Sequence, residues 1–186
     1  MWVAGTYKSA PLTHYLPLTE HWDGSAWSVV PAPAPDPHQN WLSAIAVLPS
    51  GRAWTIGYYG GDGGGGLAQG PQFHAVRTLA EEWDGTSWSQ RETVNPRQES
   101  VFLGVAAVSA HDVWAVGQQD INPVTLIEHW DGDSWAVVDT PTVNNSTLWA
   151  VDAVASDDVW AVGRYQVVDS FRTLVLHWDG VRWTQQ

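Results

Sequence analysis

Glu128-His129-Trp130-Asp131-Gly132-Asp133-Ser134-Trp135 occurs four times in this chain with little alteration. The other copies are Glu20-His21-Trp22-Asp23-Gly24-Ser25-Ala26-Trp27, Glu81-Glu82-Trp83-Asp84-Gly85-Thr86-Ser87-Trp88 and Leu176-His177-Trp178-Asp179-Gly180-Val181-Arg182-Trp183. An aromatic strand end, an Asp-Gly turn and a second strand opening on Trp are a strong local signal for a β-hairpin. Working outward, a second element precedes each hairpin: Trp2-Val3-Ala4-Gly5, Trp54-Thr55-Ile56-Gly57, Trp114-Ala115-Val116-Gly117 and Trp160-Ala161-Val162-Gly163. Such apolar runs closed by Gly predict short strands covered on both faces, ending at the Gly. A third element, small and apolar, leads into the last three of these through tight polar turns. It spans residues 42–48, 102–108 and 148–154.

Each unit is therefore expected to hold four strands, inner, second, third and outer, with the smallest side chains on the inner strand. Trp27, Trp88, Trp135 and Trp183 close successive hairpins at intervals of 61, 47 and 48 residues. Four strands repeating every 50 residues or so, with no helical spacing, predict an all-β propeller of antiparallel blades. The long first interval comes from a Gly-rich insertion at Tyr58–His74, and Pro31-Ala32-Pro33-Ala34-Pro35-Asp36-Pro37 reads as a stiff tether between units one and two. The whole of 1–186 is expected to be one domain, with blades at approximately 1–31, 41–92, 101–139 and 147–186. The first blade lacks an inner strand, so fifteen strands are expected. A half-propeller is the expected form, a piece of a longer array being one origin for it.

The pattern resembles the kelch-type propeller repeat, carried by Trp114-Ala115-Val116-Gly117 followed by Trp130-Asp131-Gly132-Asp133-Ser134-Trp135 and repeated in all four units. The kelch double glycine is absent, a single Gly being followed by Thr6, Tyr58, Gln118 or Arg164. The hairpins also resemble those of bacterial Trp-rich propeller lectins. Kelch-like folds host protein-interaction modules, sugar-acid isomerases and copper oxidases, so the resemblance implies a fold and leaves the function open.

Composition narrows that choice. Eight Lys and Arg stand against 20 Asp and Glu, a net charge of −12, which disfavours nucleic acid and anionic membranes as partners. There is no Cys, which removes disulfides, thiol chemistry and the thioether-linked copper site of the kelch-like oxidases. No phosphate-binding Gly-Lys loop, helical zinc motif or Gly-x-Ser-x-Gly elbow is present. The opening residues are not those of a signal peptide. Extracellular and cytoplasmic settings both stay open, with the former slightly favoured.

In an antiparallel meander, the second-to-third and outer-to-inner connections share one end of the blades, and these are the long, dissimilar ones. Binding is expected on that variable face. Twelve of the fourteen Trp fall in repeated slots and read as packing residues. Trp41 and Trp149 do not. With Tyr58, Tyr59, Asn40, Asn145 and His74 they form the candidate ligand set, because sugars stack on aromatic rings and engage amide side chains. The competing reading has the two Trp plugging the mouth of the ring.

His21, His129 and His177 recur once per unit with Glu82 in the second. That spacing favours hydrogen bonds within each blade over a shared metal, and the turn carboxylates read as turn formers. Asp62, His74 and Arg77 are the one acid–base group on the variable face. No catalytic residue, metal or cofactor is assigned. The expected function is a non-enzymatic binding or assembly scaffold that self-associates, as a homodimer completing an eight-bladed ring, and takes protein or glycan ligands. A lectin-like propeller and a propeller enzyme are the alternatives.

Overall fold

The computed structural model describes residues 1–10, 14–61, 75–120 and 122–186. These form fifteen strands and no helix. The first sheet is β1 (Trp2–Ser9), β2 (His14–Trp22) and β3 (Trp27–Val30). The second is β4 (Asn40–Val47), β5 (Ala53–Gly60), β6 (Val76–Trp83) and β7 (Trp88–Arg91). The third is β8 (Ser100–Ser109), β9 (Asp112–Gln119), β10 (Val124–Trp130) and β11 (Trp135–Val137), and the fourth is β12 (Ser146–Ala155), β13 (Asp158–Val167), β14 (Ser170–Trp178) and β15 (Trp183–Gln185). Each sheet is an antiparallel meander in sequence order, three-stranded in the first and four-stranded in the rest. This is the propeller-blade architecture, with an inner strand missing from the first blade.

Each outer hairpin pairs Trp with Trp: Trp22 with Trp27, Trp83 with Trp88, Trp130 with Trp135, and Trp178 with Trp183. The loop between them is four residues long and is organised by its first residue. Asp23 Oδ1 accepts the N–H groups of Ser25 and Ala26 at 2.7 and 2.9 Å, and Asp84, Asp131 and Asp179 repeat the arrangement. The following Gly has φ of 87–108°, a conformation that Cβ-bearing residues resist.

The Gly of the Trp-x-x-Gly element does not end its strand, as the sequence pattern suggests. Gly57, Gly117 and Gly163 lie inside β5, β9 and β13. Each inner strand carries a bulge, between Leu42 and Ala44, Phe102 and Gly104, and Leu148 and Ala150. At the bulge a carbonyl is pressed against the neighbouring strand. A Cβ on Gly57, Gly117 or Gly163 would lie 1.8, 2.0 or 1.9 Å from the carbonyl oxygen of Trp41, Val101 or Thr147. Only Gly admits that approach.

Blades pack in chain order. β1 and β2 lie against β4; β4, β5 and β6 against β8; and β8, β9 and β10 against β12. The interface repeats one device: the second-strand Trp of a blade enters the outer-hairpin Trp pair of the next. Trp2 sits 4.8 and 5.2 Å from Trp83 and Trp88, Trp54 5.1 and 5.4 Å from Trp130 and Trp135, and Trp114 5.2 and 5.5 Å from Trp178 and Trp183, ring centre to ring centre. These rings, most of them buried, join Ile56, Phe102, Leu126, Val116, Ile127 and Leu174 in the core clusters between blades. Among the described residues the first and fourth blades do not close on one another, so the array is open at both ends.

Candidate functional site

Open ends leave one Trp of each kind without its counterpart. Trp160, the fourth second-strand Trp, is 39% exposed, against 8%, 0% and 2% for Trp2, Trp54 and Trp114. It is nonetheless held in place: His177 stacks on it at 4.2 Å, and its indole N–H donates to Asp158 Oδ1 at 2.8 Å. At the other end Trp27 is 42% exposed, while Trp88, Trp135 and Trp183 are 4–6%. The Trp22 and Trp27 rings stand 5.7 Å apart, the same spacing as the three filled pairs, which lie at 5.7–6.0 Å. One flank thus presents a plug and the other a preformed socket. The fourth blade also exposes Val162 and Phe171, and the first blade exposes Val3 and Val29.

The histidines serve their own blades. His129 Nε2 lies 2.8 Å from Asp112 Oδ1, and His177 Nε2 lies 2.9 Å from Asp158 Oδ1. The second blade reverses the polarity of the same pair: Arg52 stands at the Asp position and Glu82 at the His position. Glu82, 3% exposed, accepts from Arg52 and takes both Nε and Nη2 of Arg91, at 2.9 and 2.7 Å. Asp112 and Asp158 are therefore partners of the cross-strand His as well as turn residues. No group of three His, Asp or Glu side chains with metal-ligand geometry occurs among the described residues.

Four of the candidate ligand residues, Asn40, Trp41, Tyr58 and Tyr59, lie together on β4 and β5 of the second blade, while Asn145 and Trp149 lie apart at the start of the fourth. Trp41 is stacked in a row with Tyr15 and Tyr58, at 4.2 and 6.0 Å, so tyrosines of this chain already engage its ring. Burial raises the Tyr58 phenol above its ordinary pKa. Tyr59 pairs with Arg77 across β5 and β6. Asn40 is fully buried and spends its amide on the Pro-rich tether and on β2, donating to the Asp36 and Tyr15 carbonyls and accepting the Asp36 N–H. Asn145 occupies a turn at φ 51°, its carbonyl accepting the Gln166 N–H. Trp149, 48% exposed, is the bulged residue of β12. The Arg164 guanidinium lies over it at 5.0 Å and over Phe171 at 4.0 Å. His74 and Asp62 lie outside the described residues. On the same face His14 and His38 bring ring nitrogens within 2.9 Å, a contact between residues 24 apart that no local motif marks. A pocket of about 590 Å³ opens instead at the short-turn face, between Trp2, His21, Arg52, Trp83 and Asp84.

Two carboxylates stand out in the interior. Glu81 and Glu128 hold the same place in consecutive hairpins and are fully buried. Burial pushes the Glu128 carboxyl up to about 7, against the opposing pull of the Val94 and Asn95 N–H groups, with Val94 N donating to Oε2 at 3.1 Å. Glu81 is pushed further, to about 8, and neither of its oxygens has a hydrogen-bond partner among the described residues. The repeat supplies a reason. Val94 stands six residues after its outer-strand Trp, and the same place in the first connection is Pro33, which has no N–H to give. In the third connection it is Pro141, and there the slot holds Leu176, fully buried, instead of a carboxylate.

Comparison with protein-family models finds no match to this chain, and comparison with curated proteins finds none.

Proposed function

We propose that this chain is a non-enzymatic assembly and binding scaffold, a kelch-like half-propeller of which two copies join flank to flank. The observation that carries this reading is the mismatch between its ends, a rigid exposed Trp160 on one and the unfilled Trp22–Trp27 pair on the other. Three interfaces within the chain are built from that same pair of parts. The contact is head-to-tail, and such contacts are satisfied throughout only when the rotation closes. Two copies of four blades closing on one axis make an eight-bladed ring.

Complementation tests this. Trp160→Ala damages only the plug and Trp27→Ala only the socket, so each variant alone is expected to sediment as a monomer. Mixed, they form one intact interface, between the plug of the Trp27→Ala copy and the socket of the other, and a dimer returns. Variants that remain dimeric, or a mixture that stays monomeric, refute the flank contact.

Glycan binding is a second reading, favoured by Trp149, whose exposed ring lies beside Arg164 in the arrangement that a sugar face and its hydroxyls could use. Loss of glycan-array binding in Trp149→Ala with unchanged thermal stability would support it.

A further inference from the structure

In the three complete blades, the Gly of the second strand exists to admit the inner strand. The first blade keeps that residue, Gly5, without the strand: an added Cβ there meets nothing within 4 Å among the described residues. β1 is an edge strand, where its counterparts β5, β9 and β13 each lie between two neighbours. Gly costs a strand both backbone entropy and side-chain packing, and nothing in the first blade offsets that cost. The far side of the space is already built. β4, the inner strand of the next blade, packs against β1, and Thr6 Oγ1 accepts the Leu42 N–H at 3.1 Å.

We propose that the inner edge of β1 is an acceptor site for one extended peptide strand that adds antiparallel to β1. The chemistry of the occupant follows from the strands that fill this position in the other blades. Opposite the Gly each carries a buried Leu or Phe: Leu42, Phe102 or Leu148. A bulged residue comes next, then Ala or Gly and a run of small apolar residues. Main-chain hydrogen bonds to the open edge supply affinity, and the carbonyl preceding the large apolar residue, seated on Gly5, sets the register. The site goes beyond the flank contact, since it lies along the strand edge and not on the blade face.

A labelled peptide with the sequence of residues 146–155, titrated by fluorescence anisotropy, is the test. Wild type and Trp160→Ala are both titrated, the second because its flank contact is removed, so failure of the assembly does not mask the slot. Saturable binding to either protein is expected, with a scrambled peptide not binding. Gly5→Val should weaken binding by at least about tenfold, because its Cβ occupies the carbonyl seat, an overpacking effect. Its thermal stability should be unchanged or raised, because that Cβ meets open space and Val is the better strand residue. Absence of saturable binding to both proteins, or binding that Gly5→Val leaves intact, overturns the proposal.

Discussion

Replacing Glu81 by Leu should stabilise the protein, and by an amount that grows with pH. Its carboxyl has a folded pKa of about 8 against 4.5 for the ordinary side chain, so between those values the folded state holds a proton that the unfolded state has released. Stability therefore falls as pH rises through this window, at a limiting slope of about 1.4 kcal/mol per pH unit. Integrated from about pH 5 to about pH 8, the loss is on the order of 3 kcal/mol, close to the full span because the side chain is completely buried. Leu176 fills the corresponding slot of the fourth blade, opposite Pro141, as the leucine introduced by Glu81→Leu would opposite Pro33. Urea denaturation near pH 8 should show Glu81→Leu more stable than wild type by about 3 kcal/mol, which for a chain of this size raises Tm by roughly 6–12 °C. Near pH 5 the carboxyl's share of the gap should shrink to about 1 kcal/mol or less. A variant less stable than wild type at pH 8, or a gap that is the same at both pH values, would refute the reasoning.

The Trp plugs should separate by position. Trp54→Ala or Trp114→Ala empties a filled socket and should cost about 3–5 kcal/mol in chemical denaturation, while Trp160→Ala measured as a monomer should cost no more than about 2 kcal/mol. Glu82→Ala should destabilise by only about 1 kcal/mol, because Arg52 and Arg91 are 38% and 41% exposed and regain water when their partner is removed. The double change Arg52→Asp with Glu82→His, which installs the pair of the third and fourth blades, should recover part of that loss in a double-mutant cycle. Because each copy carries a net charge of −12, flank association should tighten as salt rises, and sedimentation at two ionic strengths would detect it. Trp41→Ala should lower thermal stability through loss of its stack with Tyr15 and Tyr58, whereas Trp149→Ala should leave it nearly unchanged.

The blades were legible because their signals are local and repeated. Trp-Asp-Gly-x-x-Trp specifies a hairpin within eight residues, and the spacing between copies sets the unit. Partnership between units was not legible. That Trp54 enters the pair of the following blade, leaving Trp160 without a pair to enter, depends on how sheets stack and not on any residue near it in sequence. The same limit explains the Gly: its role depends on a bulge carbonyl from another strand, so a strand-ending reading was the natural local one. Asn40 and Asn145 illustrate the opposite case, in which residues chosen for ligand chemistry are engaged in tether and turn geometry. Comparing Pro33, Val94 and Pro141 with Glu81, Glu128 and Leu176 could have flagged the frustrated carboxylate, once the connection was known to lie over the hairpin that follows it.

Solution mass by light scattering coupled to size exclusion, at micromolar concentration and physiological salt, addresses the assembly directly. The plug and socket flanks predict one species near twice 20.4 kDa. A monodisperse species of 20.4 kDa would contradict them.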